Sequence, residues 1–250
     1  MFKFFDSHIH LNSDRLNLWL RQRKDLYRDW IFNVVSTNLE DLEIAFSQSK
    51  EHSNVYVTAG IHPLEIDGLD LESTMELLEY KIRSNSKVLA IGEIGLDFYR
   101  MPKEEVFENQ KRWFLAQCDL AKKLNLPVML HLRNASEEAL SLLKDINWFG
   151  IIHCYDGDLE LANRFLALPG RWMLSISPII FREGNKTSGI LESIDLSHFL
   201  VETDAPYLSE DSEKVKDIIE SLSKAKGINF EQCRDHLLSN FQDFFKLNET

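Results

Sequence analysis

The sequence has few of the features that would mark a secreted or membrane-bound protein. It contains three cysteines among 250 residues, an odd number without paired spacing, which argues against a disulfide framework. No apolar run approaches the length that spans a bilayer, and no basic leader-like segment precedes the first apolar run. We therefore expect a cytoplasmic protein with no membrane partner and no obligate protein partner.

Positive charge is also scarce, because 28 Lys and Arg stand against 40 Asp and Glu and the formal net charge is −12. Proteins that bind nucleic acid through broad electrostatics usually carry a basic face. The composition argues against binding of that kind but leaves room for a small local anion site. A GxGxxG motif, which would favour a dinucleotide-binding sheet, does not follow the first apolar run.

What the sequence does contain is a regular alternation of short apolar runs and amphipathic stretches. The runs are rich in Val, Ile, Leu and Phe without clean alternation, which is typical of parallel strands covered on both faces. The predicted strands are Lys3–His8, Ile31–Ser36, Val55–Gly60, Val88–Gly92, Pro127–Leu132, Phe149–His153, Trp172–Ser177 and Phe199–Thr203. The predicted helices between them include Leu39–Lys50, Leu71–Arg83, Glu104–Lys123, Ser136–Lys144, Leu159–Leu168 and Thr187–Ile194.

Eight such units predict an α/β fold, a single (β/α)8 TIM barrel that occupies residues 1–250 as one domain. Two further helical patterns, Ser212–Lys226 and Phe230–Lys246, follow the eighth predicted strand. A doubly wound open sheet is the alternative architecture.

Chemically unusual side chains collect where the predicted strands end. Five of the eight histidines lie at or just past such an end. In a parallel barrel these ends open on one face, where the active sites of such enzymes are built. The candidate site residues are His8, His10, His62, Glu93, His131, Arg133, His153, Glu202 and Asp204.

Imidazole and carboxylate are the usual ligands of catalytic divalent metals. His8 and His10 are two positions apart, so an extended strand would present both rings on one face. Together with Asp204 from the eighth strand they could hold one ion. Asp204 could instead cap the element after that strand, but we favour a metal ligand that also accepts a proton.

A second ion could be held by His131 and His153, from neighbouring predicted strands. The two oxygens of Glu93 could bridge the ions at about 3.5–4 Å, a separation suited to clamping the attacking and leaving oxygens of a displacement. The alternatives are two hydrogen-bonded core histidines and a buried Glu93–Arg100 pair.

Three further residues are candidates for supporting roles. His62 and Arg133 could donate to a phosphate oxygen, although His62 could be a turn residue before Pro63 and Arg133 could pair with acidic residues of the following helix. Glu202 lies two positions before Asp204 and could hold a ligand histidine in place.

The motifs DSHIHL, AGIHP, GEIGLD, HLRNA, HCYDG and ETDAPYL occur in this order. From Phe4 to about Leu208 the sequence resembles the TatD family of metal-dependent deoxyribonucleases. The resemblance implies a TIM-barrel exonuclease acting on single-stranded DNA or frayed ends, with Glu93 and Asp204 as catalytic residues. It also implies metal ligation by His8, His10, Glu93, His131, His153 and Asp204. The expected cofactors are two divalent ions: the resemblance implies Mg²⁺, whereas four histidines among six ligands favour Zn²⁺ or Mn²⁺.

Two motifs depart from the family pattern. HLRNA keeps its histidine and arginine but differs at their neighbours from the HSRDA-like form. Where the family commonly has a basic loop after Leu208, this chain has Ser209-Glu210-Asp211-Ser212-Glu213, which should weaken the hold on a DNA backbone.

Three hypotheses follow from the sequence. The first is a dinuclear phosphodiesterase in which a metal-bound hydroxide attacks phosphorus. The second is an amidohydrolase-like enzyme that uses the same site on a C–N or C–O bond. The third is a non-catalytic metal-binding protein, against which the complete ligand set argues.

Overall fold

The computed structural model of the chain describes residues 2–11 and 27–247. One sheet contains eight strands in sequence order, and the pairings given for it are parallel. The strands are β1 (Phe4–Ile9), β2 (Trp30–Val35), β3 (Val55–Ala59), β4 (Val88–Asp97), β5 (Val128–Arg133), β6 (Trp148–Ile152), β7 (Gly170–Ile176) and β8 (Phe199–Val201). This strand order, alternating with helices, is that of a (β/α)8 TIM barrel and confirms the predicted fold class.

The described helices also follow the predicted pattern. They are α1 (Leu39–Glu51), α2 (Leu71–Arg83), α3 (Lys103–Leu124), α4 (Ser136–Leu143), α5 (Leu159–Leu166), α6 (Ser188–Ser193), α7 (Lys214–Lys226) and α8 (Phe230–Phe244). Short 3-10 helices occupy Pro178–Phe181 and Leu196–His198. Helices α7 and α8 are the two elements expected after the eighth strand. Within the described ranges, no helix is both long and apolar enough to cross a membrane.

The chain forms two compact units. Unit 1 contains residues 1–34, 153–167 and 172–250, and unit 2 contains residues 35–152 and 168–171. That the whole chain acts as one domain stays a prediction.

In unit 1, aromatic packing joins the first strand to the last helix. Phe5 of β1 is buried and stacks on Phe241 of α8 with ring centroids 4.5 Å apart. Phe4 stacks on Trp30 at 4.9 Å. Because large aromatic side chains bury much apolar area, these contacts fix the strand that carries His8.

In unit 2, two glutamines of α3 hold the ends of strands through paired hydrogen bonds. The side chain of Gln117 accepts from the N–H of Ile61 at 2.8 Å and donates to its carbonyl at 3.0 Å. Gln110 does the same for Asp97, at 2.9 and 3.1 Å. These contacts provide hydrogen-bond partners for backbone groups that are not paired within the sheet. They also fix the segments that carry His62 and Asp97.

Strand β4 approaches β5 closely at Gly95, which pairs in register with His131. Gly95 has a φ of +144°, and a Cβ there would lie 2.1 Å from the carbonyl oxygen of His131. Both the backbone conformation and the close approach require glycine.

We predict that Gly95→Ala destabilises the metal-free protein by at least about 1–3 kcal/mol, because the methyl group would push the His131 backbone away. Urea unfolding in the presence of a chelator measures the change. Gly189→Ala is the control, since a Cβ there meets nothing within 4 Å. Equal unfolding midpoints for wild type and Gly95→Ala would contradict the packing described.

Candidate metal centre

In unit 1, two histidines and a carboxylate converge at the C-terminal ends of β1 and β8. The Nε2 atoms of His8 and His10 are 3.0 Å apart. The Oδ1 atom of Asp204 lies 3.3 Å from His10 Nε2 and 3.7 Å from His8 Nε2. Each residue offers one donor atom, all within 4.8 Å of one another, which is a spacing that one metal ion could bridge.

Backbone hydrogen bonds set the position of Asp204. Its N–H donates to the carbonyl of His8 at 2.9 Å, and the N–H of His10 donates to the carbonyl of Ala205 at 2.8 Å. Asp204 itself has a φ of +49°, a left-handed conformation that turns the chain away after β8. The two backbone bonds therefore bring the carboxylate to the same side as the two imidazoles.

His153 lies in the same unit, and its ring stacks on that of His8 with centroids 3.7 Å apart. Its Nδ1 atom is 2.8 Å from Oε1 of Glu202, which also accepts the N–H of Cys154 at 2.7 Å. The structure thus places Glu202 beside a candidate ligand histidine, and its supporting role stays a prediction. The other carboxylate oxygen of Glu202 is buried and accepts no hydrogen bond from any described residue. A buried, orphaned oxygen beside an imidazole suits a bound cation.

Asp6 is a buried residue of this unit that the sequence interpretation missed. It accepts hydrogen bonds from the N–H of Thr203 at 2.9 Å and from the hydroxyls of Thr203 and Ser212, each at 2.5 Å. Burial raises the pKa of Asp6 to about 7, although these hydrogen bonds oppose the rise. Its i, i+2 spacing from His8 was the available signal, because strand residues two apart share a face.

Unit 2 holds a second cluster around His131, at the end of β5. Its Nδ1 atom lies 2.6 Å from Oε1 of Glu93, and its Nε2 atom lies 3.0 Å from Oδ2 of Asp97. His62 contributes Nε2 at 3.8 Å from Oε1 of Glu93, and its ring centroid is 4.3 Å from that of His131. The donor atoms of His62, Asp97 and His131 form a group that could hold an ion.

The prediction that the fourth strand ends at Gly92, directly before Glu93, was wrong, because β4 continues through Asp97. The pairing of β4 with β5 shifts register between Ile91 and Ile94, and Glu93 lies inside this irregularity. Such bulges re-aim side chains next to functional sites. Beyond the irregularity, residues 94–97 pair with residues 130–133, so the strand continues past Gly92, where the sequence pattern predicted its end.

The two predicted substrate contacts have different surroundings. Nδ1 of His62 accepts the N–H of Leu64 at 3.1 Å, a turn contact that leaves Nε2 on the side of Glu93. Arg133 is exposed, and its guanidinium carbon lies 3.8 Å from the ring centre of Tyr99, a cation–π contact. Arg133 therefore stands at the surface beside His131, with a planar cation available to an anion.

Two carboxylates are ionised at neutral pH despite their burial. Burial opposes ionisation of Asp204, but its hydrogen bond with His10 and the nearby His153 and His8 hold its pKa below the ordinary value. Burial also opposes ionisation of Asp97, but its hydrogen bonds with His131 and the N–H of Tyr99, together with the nearby imidazoles of His131 and His62, lower its pKa. Each cluster thus combines imidazole nitrogens with an anionic oxygen, the donor set of divalent transition metals.

The fold and these donor sets define a metal-dependent hydrolase. The sequence model of the family described as "TatD related DNase" matches residues 5–246. The chain therefore belongs to that family. Asp97, which the sequence interpretation assigned no role, lies inside the GEIGLD motif that carried the resemblance.

Similar proteins agree with this classification. The uncharacterized metal-dependent hydrolase YabD of Bacillus subtilis is 28% identical over 98% of this chain and 99% of its own length. The protein of Shigella flexneri named 3'-5' ssDNA/RNA exonuclease TatD is 31% identical over 70% of this chain and 67% of its own. The crystal structure of YjjV, a TatD homologue from Escherichia coli, superposes with a TM-score of 0.86 at 23% identity, covering 98% of both chains.

The raised pKa of Asp6 predicts a specific pH dependence of stability. Between about pH 4 and 7 the folded chain keeps a proton on Asp6 that the unfolded chain releases, so this contribution to stability is lost as pH rises through that window. Asp6→Asn removes the titration. The stability advantage of wild type over Asp6→Asn should therefore shrink from pH 4.5 to pH 7.5, measured by urea unfolding with chelator. A difference that does not change with pH would contradict burial of the carboxyl group.

Proposed function

We propose that this chain is a divalent-metal-dependent phosphodiesterase, a deoxyribonuclease that acts as an exonuclease on single-stranded DNA or frayed ends. The observation that carries the proposal is the His8, His10 and Asp204 cluster, in which two imidazole nitrogens and an anionic oxygen lie within 4.8 Å. Family membership and the Shigella flexneri relative named a 3'-5' ssDNA/RNA exonuclease support the substrate class. We also propose that the chain works as one domain in the cytoplasm.

The proposed ligands are those expected from the sequence. His8, His10 and Asp204 would hold one divalent ion, and His131 and His153 a second, with Glu93 bridging the two. Two observations support this assignment. Each cluster, considered within its own unit, offers imidazole nitrogens and carboxylate oxygens as metal ligands, and one buried oxygen of Glu202 has no hydrogen-bond partner among the described residues. Four histidines among six ligands favour Zn²⁺ or Mn²⁺, while Mg²⁺ is the ion that the family resemblance implies.

Bound divalent ions would supply positive charge at the phosphate and lower the pKa of water. The side chains of the protein would do the rest. Asp204 is ionised and would accept the proton of the attacking water at a carboxylate oxygen. Arg133, exposed beside His131, would donate to a non-bridging phosphate oxygen, and His62 would do so through Nε2. Glu202 would keep the ring of His153 in one orientation.

We predict that chelator abolishes degradation of end-labelled single-stranded DNA and that added Mn²⁺ restores it. Glu93→Gln and Asp204→Asn should each lower the rate by at least about 10²-fold, because each removes an anionic ligand and, for Asp204, a proton acceptor. Glu104→Gln on the exposed first turn of α3 is the matched control and should retain wild-type activity. Chelator-resistant cleavage, or full activity in Glu93→Gln, would refute the proposed site.

A second candidate is an amidohydrolase-like enzyme that attacks a C–N or C–O bond of a small molecule. The acidic stretch after Leu208 favours it, because Glu210, Asp211 and Glu213 follow Asp204 closely and would repel a DNA backbone. The same preparation assayed against small amides, esters and lactones separates the two. Metal-dependent turnover of these compounds without DNA cleavage would establish the second candidate.

A further inference from the structure

Asp97 is a buried carboxylate whose two oxygens serve two different groups. It ends β4 and is 1% exposed. Its Oδ1 atom accepts the backbone N–H of Tyr99 at 2.9 Å, and its Oδ2 atom lies 3.0 Å from Nε2 of His131. If either oxygen changed its partner, the N–H of Tyr99 or Nε2 of His131 would lose its acceptor.

The backbone of Asp97 is fixed as firmly as its side chain. Its N–H donates to Oε1 of Gln110, and its carbonyl accepts from Nε2 of Gln110, at 2.9 and 3.1 Å. In the sheet, Asp97 pairs with Arg133 while Gly95 pairs with His131. The carboxylate therefore meets the imidazole at a distance that both the helix α3 and the sheet register determine.

The other nitrogen of the same ring, Nδ1 of His131, lies 2.6 Å from Oε1 of Glu93. An imidazole that binds a metal uses one nitrogen as ligand and carries its proton on the other. A carboxylate at the protonated nitrogen fixes both the tautomer and the ring orientation.

We propose that Asp97 is a positioning residue that holds the proton of His131 on Nε2 and so leaves Nδ1 as the nitrogen that binds a divalent ion. The inference rests on the proposed function, because it takes His131 as a metal ligand. Asp97 would then serve His131 in unit 2 in the way that Glu202 serves His153 in unit 1.

Asp97→Asn tests this assignment with almost no change in shape. Asparagine has a single acceptor oxygen, and the N–H of Tyr99 needs it. The amide NH₂ would then face Nε2 of His131, donor against donor, and the ring would move its proton to Nδ1. A purely structural role for Asp97 would predict lower stability but no change of tautomer.

The experiment uses Zn²⁺ as the probe on the purified, metal-stripped chain. Calorimetric titration should show one site weakened about 10- to 100-fold in Asp97→Asn. In ¹⁵N spectra of the zinc-loaded wild type, His131 should carry its proton on Nε2, and this signal should be lost in Asp97→Asn. Asp70→Asn is the matched control, because Asp70 caps α2 through the N–H of Ser73 at 3.0 Å and asparagine caps equally well. It should bind zinc like wild type.

Zinc on Nε2 of His131 in the wild type, or wild-type zinc affinity in Asp97→Asn, would overturn the inference. If Asp97→Asn does not fold, the wild-type ¹⁵N spectrum alone tests which nitrogen of His131 binds zinc. A wild-type chain that binds no divalent ion would overturn the proposed function and this inference with it, whereas an unchanged Asp97→Asn variant would overturn only the inference.

Discussion

A buried ionisable group must have a partner, and the described part of this chain meets that requirement by pairing carboxylates with imidazoles. Removing a carboxylate from water without compensation costs more free energy than the net folding stability of a typical domain. Asp204 beside His10, Glu202 beside His153, and Glu93 and Asp97 on either side of His131 are all such pairs. In each of these pairs a carboxylate oxygen lies between 2.6 and 3.3 Å from an imidazole nitrogen, so the side chains lie close together.

This arrangement depends on residues that carry no metal chemistry. In unit 1, the carboxyl group of Asp6 accepts hydrogen bonds from Thr203 and Ser212 and so ties the chain on either side of Asp204 to β1. In unit 2, Gln110 and Gln117 of α3 hold the backbone next to Asp97 and His62. A metal site whose ligands lie far apart in sequence needs this support, because an error of about 1 Å in ligand position costs affinity and rate.

Much of the fold was predictable from the sequence, because apolar runs and amphipathic stretches alternate regularly. The predicted bounds of α2 agree with the structure, and those of most other elements differ by one or two residues. The length of β4 was missed, because Glu93 and two glycines look like a strand end, whereas β4 resumes pairing with β5 after a register shift and continues to Asp97. Periodicity carries no information about such a bulge.

The residues of the candidate site were likewise predictable only in part. The histidines could be found because few other roles place so many imidazoles after apolar runs. Asp6 and Asp97 were missed because their functions depend on long-range hydrogen bonds, to Thr203 and to His131, which only the folded chain creates. An aspartate in a motif has many possible roles, and the sequence does not say which donors face it.

The central claim is that the two clusters bind divalent cations. Anomalous diffraction from crystals grown with Mn²⁺ tests it most directly, because the signal locates the metal without assumptions about activity. The account predicts anomalous peaks within coordination distance of His8, His10 and Asp204 and of Glu93 and His131. A well-ordered crystal with Mn²⁺ in the medium and no peak beside these residues would contradict it.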